Sequence, residues 1–104
     1  MIHHTMIVTF ENPIPDADLD QFLADIEQVM RASGHVTGAA ARRHIPVPAE
    51  RGFDAPAPTA IVQFAVADAE ALNASFSAPG LEELIGRWQS RHPYRVVWAN
   101  HEPF

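Results

Sequence analysis

A histidine near the start of the chain is the strongest candidate for acid–base chemistry. Residues 2–10 read IHHTMIVTF, and their alternation puts His4 on the same strand face as Met6 and Phe10. His3 falls on the opposite face. Burial lowers the pKa of an imidazole, which keeps it neutral and able to accept a proton near pH 7. We therefore predict that His4 faces the helices as a general acid or base. The alternative is a strand-end histidine hydrogen-bonded to backbone or water.

Aromatic side chains are the second feature that suits a small-molecule site, because flat substrates pack against flat rings. The candidate wall residues are Phe64, Phe76, Trp88 and Trp98. Trp88 has helical spacing with Leu81 and Ile85, which favours a core position over a pocket wall. Tyr94 is the only tyrosine. Its hydroxyl could donate a hydrogen bond to a developing oxyanion, or it could lie at the surface.

The remaining histidines are weaker candidates. His44 falls on the second predicted strand and His101 just beyond the last one, so either could contact a ligand at a pocket mouth or lie exposed at a strand end. His35 follows a glycine that ends a helix, and His92 ends another helix, where an imidazolium favours the helix dipole. We interpret these last two as structural.

Metal and cofactor sites are not indicated. Adjacent His3 and His4 diverge to opposite faces of a strand, so they cannot chelate one ion. The chain has no cysteine, and its five glycines are scattered without a nucleotide-binding pattern. We therefore expect neither a metal nor a cofactor.

Charge and composition limit the kinds of molecule that this protein is expected to bind. The formal net charge is -6, and Arg42-Arg43 is the only basic pair, so we expect no nucleic acid to bind. No stretch approaches the roughly 18 apolar residues of a membrane span. The absence of cysteine fits a reducing compartment, and we expect a cytoplasmic protein without membrane contact.

The elements that position these residues begin with the strand over residues 2–10. Asp16 stands at an N-cap position before a helix with apolar residues at helical spacing, which Gly34 ends in the left-handed conformation. Residues 36–45 follow as a strand. The proline-rich run 46–58 predicts a surface loop and a candidate lid.

The second half of the chain repeats the strand and helix order. Residues 59–66 predict a strand buried on both faces, and Asp68 caps the helix after it. That helix breaks at Pro79-Gly80, with Ser77 as a fresh cap, and resumes until His92. Residues 94–99 form the last strand.

This order, β-α-β-β-α-β, predicts an α+β ferredoxin-like domain over residues 1–104, with two helices on one face of a four-stranded antiparallel sheet. Strand parity puts Ile7, Ile61 and Val97 on the other face. Exposed together they would form an apolar patch, and a homodimer through this open sheet face is the simplest way to cover it.

The chain resembles the dimeric α/β-barrel superfamily and, within it, the stress-responsive A/B barrel domains of the olivetolic acid cyclase type. The motifs that carry the resemblance are HHTMIVTF, IVQFAVADAEAL, SAPGLEEL and YRVVWANHEPF. It implies a dimeric barrel fold, and it matches His4 to a pocket-lining histidine that opens the first strand. It also implies a range of activities, from polyketide cyclisation to cofactor-free oxygenation.

The cyclase machinery implied by this resemblance is incomplete in this chain. Leu81 stands where the cyclases have their catalytic histidine, Ala78 where they have a second histidine, and Ser75 where they have a tyrosine. Three functions stay open. The first is a cofactor-free cyclase that moves a proton on a flat ketonic or aromatic substrate, with His4 as the acid or base. The others are a cofactor-independent monooxygenase and a non-catalytic ligand-binding or stress-responsive dimer.

Overall fold

The computed structural model describes all residues, 1–104, and its centre is a four-stranded antiparallel sheet. The strands are β1 (Ile2–Phe10), β2 (Val36–Arg43), β3 (Ala60–Val66) and β4 (Tyr94–His101). They lie in the order β2-β3-β1-β4, with β1 paired to both β3 and β4. This is the ferredoxin-like arrangement predicted from the sequence.

Helices α1 (Asp16–Ala32), α3 (Ala69–Ser75) and α4 (Leu81–Arg91) cover one face of the sheet. Their apolar sides join the inward-facing strand residues in one core of 17 buried residues. Phe22 of α1 and Phe64 and Val8 of the central strands are completely buried there. None of the helices is long and apolar enough to cross a membrane.

Asp68 and Gly34 have the helix-end roles predicted for them, whereas Asp16 does not. Asp68 accepts a hydrogen bond from the Ala71 backbone N–H at 2.8 Å, and Gly34 has φ +82°. Asp16 does not cap α1, because the helix already includes it and Pro15 occupies the cap position. Pro15 has φ -57°, the value that its ring imposes and that suits the start of a helix. The helix therefore begins one residue earlier than a cap at Asp16 would require, and no side chain caps it.

The break between α3 and α4 is longer than the sequence predicted. Residues 76–80 form turns, and α4 begins at Leu81 rather than at Pro79. Ser77 is therefore not a cap. Gly80 holds the cap position with φ +83°, a left-handed conformation that favours glycine and that redirects the chain between the two helices.

The proline-rich loop is a protruding arm, which we define as residues 45–58. It is mostly irregular as predicted, but it contains one short helix, α2 (Ala49–Gly52). Strand β2 ends at Arg43, so Ile45 belongs to the arm and not to a strand. Ile45 and Phe53 are 79% and 85% exposed, so the arm packs little of its apolar surface on its own chain.

The second sheet face, which we call the open face, has no helix over it. Ile7 pairs with Ile61 on one side and with Val97 on the other, so these three side chains form one row as predicted. Ile61 is 40% and Val97 is 66% exposed. The sheet therefore has one buried face and one face whose apolar centre is exposed to solvent.

Candidate active site

His4 is one of only two polar side chains buried in this protein, together with Ser75. It lies near the start of β1 on the helix-facing side, between Phe64 of β3 and Asn100 of β4 in the strand register. The alternation of β1 fixes this direction, because His4 shares its face with the buried Val8 and Phe10. The sequence prediction of an inward-facing histidine agrees with this position.

The hydrogen bonding of the ring makes one nitrogen available as a base. Nδ1 of His4 lies 2.7 Å from Oδ1 of Asn100, and an amide oxygen can only accept, so Nδ1 carries the hydrogen. Nε2 then has the free lone pair. It is buried and has no hydrogen-bond partner in the chain. A buried acceptor without a partner is unfavourable. Nε2 therefore either destabilises the folded protein or accepts a hydrogen bond from a bound ligand.

Burial also sets the charge of this ring. Desolvation lowers the pKa of His4 below its ordinary value of 6.5, and the hydrogen bond to Asn100 opposes part of that shift. The imidazole is therefore neutral at pH 7, which is the form that accepts a proton.

Three aromatic rings surround His4. Phe64 is nearly parallel to it, with ring centres 6.5 Å apart, while Phe76 and Trp98 meet it edge to face at 5.4 and 4.9 Å. Phe76 and Trp98 also stack on each other at 4.8 Å with planes 8° apart. Trp98 is 52% exposed, so this stacked pair reaches from the histidine to the surface.

The same three rings line an apolar cavity of about 210 Å³ between the helices and the sheet. Nine of its ten lining residues are hydrophobic. Besides the three rings, the lining residues are Met6, Ile26, Met30, Leu81, Glu82, Ile85 and Tyr94. Glu82 is the only charged side chain among them. A cavity of this composition fits a small, flat, apolar molecule with few polar groups.

His4 does not itself line this cavity, which corrects the expectation that it would border one. Its ring touches Phe64, Phe76 and Trp98, and these rings form the wall on that side. A ligand in the cavity therefore meets Nε2 only if Phe76 or Trp98 moves. Phe76 follows the last residue of α3 and begins the irregular segment 76–80, so its backbone is held by fewer helical hydrogen bonds than a mid-helix residue.

Tyr94 lies at the far end of the site from His4. Tyr94 pairs with Phe10, whereas His4 pairs with Asn100, so six residues of β4, about 20 Å, separate the two positions. Tyr94 is buried against Phe10 and Phe22, and burial raises the pKa of its hydroxyl above 10.0. Its side chain lines the cavity and is not the surface residue that one interpretation of the sequence expected, and it is too distant to act on the same atom as His4.

Trp88 belongs to the core and does not line the cavity. Its indole N–H donates to Oδ2 of Asp25 at 3.1 Å, and its ring packs edge to face on Phe22. The core position was the alternative favoured by its helical spacing. The substrate-wall role predicted for Trp88 therefore has no support in the geometry.

His44 is likewise away from the cavity. It lies at the base of the arm, where Nε2 is 2.8 Å from Oε1 of Glu50. His101 is on the open face, where Nε2 accepts from the Thr5 hydroxyl at 2.7 Å and Nδ1 lies 2.8 Å from the Glu102 carbonyl. Neither histidine contacts the rings around His4, so the site has a single imidazole.

Sequence reasoning missed several residues of the site. Asn100, the partner of His4, is 96 residues away in the chain, and only the register of β1 with β4 joins them. Met6 could have been found, since it shares strand parity with His4. Leu81, the position that the resemblance matched to a catalytic histidine, is a cavity residue here, and the Ser75 hydroxyl bonds to the Leu72 carbonyl of its own helix.

No family model and no curated protein matches this sequence. Solved structures do match along nearly the whole chain. A DABB-family protein with a ferredoxin-like fold from Mesorhizobium loti has a TM-score of 0.73 at 16% identity, and the match covers 99% of this chain and 96% of that one. A hydroxynitrile lyase from Passiflora edulis has a TM-score of 0.73 at 14% identity, covering 99% and 95%.

A third similar structure is a dimeric ferredoxin-like protein of unknown function from Thermobifida fusca. Its TM-score is 0.69 at 11% identity, and the match covers 98% of this chain and 90% of that one. Likeness at these identities concerns the fold alone. This chain has the ferredoxin-like fold, which the DABB-family protein from Mesorhizobium loti also has.

Proposed function

We propose that this protein is a cofactor-free acid–base catalyst that acts on a small ketonic or aromatic molecule, with Nε2 of His4 as the base. One observation carries the proposal. A buried, neutral imidazole has one nitrogen fixed by Asn100 and the other free, directly behind the aromatic wall of an apolar cavity. Perturbed titratable groups of this kind cluster at functional sites.

The proposed step transfers one proton and needs no oxidant. Nε2 takes the proton from the carbon next to a substrate carbonyl, and the electrons of that C–H bond form an enolate. The enolate carbon then forms a C–C bond with a second carbonyl carbon of the same molecule. This C–C bond closes the ring, and the resulting alkoxide then takes the proton back from Nε2, which regenerates the neutral histidine.

The aromatic wall has a defined part in this proposal. A substrate ring that displaces Phe76 from its stack on Trp98 would take over the contact with Trp98 and reach the His4 ring. The cavity of about 210 Å³ would then extend to the His4 ring. Closing the rings over the substrate keeps water away from the base, which strengthens its interaction with the developing charge.

The hydroxynitrile lyase among the similar structures suggests a second substrate for the same base. Removing the hydroxyl proton of a cyanohydrin breaks its C–C bond and releases cyanide and a carbonyl compound. The base receives the proton and returns it to cyanide. An aromatic cyanohydrin, like an aryl ketone, is a small flat molecule that suits an apolar lining.

The test measures proton removal directly. Acetophenone in D₂O exchanges its methyl hydrogens when a base removes them, and NMR follows this exchange. We expect the wild-type protein to accelerate it and His4→Gln to lose about 10²- to 10⁴-fold of that rate. His35→Gln, which removes an exposed histidine elsewhere, is the matched control. Mandelonitrile cleavage, followed by benzaldehyde absorbance, tests the cyanohydrin in the same variants.

A second candidate function is non-catalytic binding of an apolar ligand, favoured by the position of His4 outside the cavity wall. Calorimetry that detects acetophenone binding without any exchange, in both wild type and His4→Gln, would favour it. Oxygen uptake with an aromatic quinol, without added cofactor, would instead favour the cofactor-independent monooxygenase.

We also propose that the protein is a homodimer through the open face. The single chain has an accessible surface of 6778 Å², whereas a folded monomer of 11.5 kDa exposes about 5800 Å². The excess of about 1000 Å² is comparable to the roughly 800 Å² that each partner buries in a standard interface. Ile61→Glu puts a charge at the centre of this face and should produce monomers in sedimentation velocity at micromolar concentration.

A further inference from the structure

The arm has a stable shape although it leaves its own apolar side chains in water. The Glu50 side chain accepts from the Val47 backbone N–H at 3.3 Å, and the Glu50 carbonyl accepts from the Ala55 N–H at 3.0 Å. The Phe53 N–H donates to the Ala49 carbonyl at 3.2 Å. These bonds hold the turn at the tip, so a partner that binds Phe53 need not order the segment first.

The tip presents an aromatic ring next to a negative charge. Phe53 is 85% exposed, and the following Asp54, also exposed, has φ +51°. That left-handed conformation is uncommon outside glycine and turns the chain sharply at this point. The arm shares no residue with the lining of the apolar cavity, so it does not cover that cavity in its own chain.

The open face carries the complementary pattern. Arg95 and Val97 are two residues apart on β4, so both point to this face, and both are exposed. None of the thirteen acidic residues is on a strand, so the open face has arginines and an apolar centre but no carboxylate. The ring and carboxylate at the tip of the arm are therefore complementary to the valine and arginine on β4, apolar side chain to apolar side chain and negative charge to positive charge.

Strand register puts the start of the arm at the same height of the sheet as the pattern on β4. Arg43, which precedes the arm, pairs with Ala60, and Ala60 pairs through Val8 with Val96. The base of the arm is therefore level with Val96, between Arg95 and Val97. A two-fold axis along the strands lays the β2 edge of one protomer over the β4 edge of the other at unchanged height.

We propose that the arm of each protomer docks on the open face of a second copy, with Phe53 against Val97 and Asp54 beside Arg95. This inference rests on the proposed homodimer and adds a partner-supplied segment to it. Each contact occurs twice in a two-fold dimer, so each substitution changes two contacts.

The test is a charge exchange read out by the dimer dissociation constant in sedimentation velocity. Asp54→Arg and Arg95→Asp should each weaken the dimer, and the double variant should recover most of the loss, because the pair is restored with reversed sign. Phe53→Ser should weaken the dimer about tenfold or more, while Phe53→Leu, which stays apolar, should weaken it less. Glu70→Arg on α3 is the control for charge alone.

Three results would overturn this proposal. A wild-type protein that is monomeric at micromolar concentration overturns it together with the homodimer. A dimer that Ile61→Glu disrupts but that Phe53→Ser and Asp54→Arg leave unchanged overturns the arm contact and supports the dimer. Arm variants that leave the dimer intact but change acetophenone binding would overturn the docking contact and give the arm a role in ligand binding instead.

Discussion

Nδ1 of His4 and Oδ1 of Asn100 are 2.7 Å apart, across a register that makes the two residues direct partners on β1 and β4. The first strand thus supplies the imidazole, and the last strand supplies the group that fixes its tautomer. Because Asn100 is exposed while His4 is buried, a change of the asparagine side chain disturbs the ring without emptying the core.

Asn100 should act as a positioning residue for His4. Asn100→Leu removes the hydrogen bond that raises the pKa of His4, so we expect that pKa to fall further below 6.5 and the exchange rate to drop about 10- to 100-fold. Asn100→Asp keeps an acceptor and adds a negative charge, so the pKa should rise. NMR titration of the His4 ring measures both shifts without substrate. Equal pKa values in all three proteins would contradict this role.

Stability should depend on the protonation of His4. The unfolded chain takes up a proton near pH 6.5, whereas the folded chain resists it until lower pH. The unfolded state therefore binds more protons between the lowered pKa and 6.5, so the free energy of unfolding falls as the pH falls through that window. Urea denaturation between about pH 8 and pH 5 measures the slope. His4→Phe should flatten this slope, and an unchanged slope would show that another group causes it.

Phe76 should control access to His4. Phe76→Ala removes one ring of the stacked pair, so we expect diethyl pyrocarbonate to modify Nε2 of His4 several-fold faster than in wild type. Because Phe76 is partly buried, the free energy of unfolding should fall by about 2 kcal/mol. Peptide mass spectrometry resolves the six histidines. Leu81→Ala shortens another side chain that lines the cavity but leaves the rings around His4 in place. It should therefore leave the rate of His4 modification unchanged.

Substitution of Trp98 should affect ligand binding, whereas substitution of Trp88 should affect only the free energy of unfolding. Trp98→Ala removes a wall of the cavity and should weaken acetophenone binding about tenfold. Trp88→Phe should leave binding unchanged and lower the free energy of unfolding by about 1 kcal/mol, because it loses the hydrogen bond to Asp25. Calorimetry and urea denaturation provide the two readouts. Weakened acetophenone binding in Trp88→Phe would contradict the core assignment and indicate that Trp88 contacts the ligand.

Alternation along the strands predicted most of the sheet. It assigned His4 to the helix side and Ile7, Ile61 and Val97 to the open face, because the direction of a strand side chain depends only on its parity. Helix ends were less predictable. Asp68 caps α3, but Ser77 does not cap α4, since the chain uses the positive φ of Gly80 for that turn.

The site could be predicted only in part, because its geometry depends on contacts between distant parts of the chain. Nothing near Asn100 in the sequence indicates that it faces His4. The separation of Tyr94 from His4 follows from the β1–β4 register, which the sequence does not specify. The position of His4 behind the Phe76–Trp98 pair depends on ring packing, which no spacing rule provides.

The distribution of charge between the two layers affects how copies meet. The four strands carry three arginines and no carboxylate, whereas α1, α3 and α4 carry eight carboxylates and three arginines. The molecule therefore has a positively charged sheet layer and a negatively charged helix layer. Two copies that approach through their helices repel each other, while arginine-bearing sheets are the less repulsive approach. Added salt screens this field over shorter distances. The preference of two copies for approaching through their sheets should therefore weaken as the ionic strength rises, and this preference should change more than the rate at which the dimer forms.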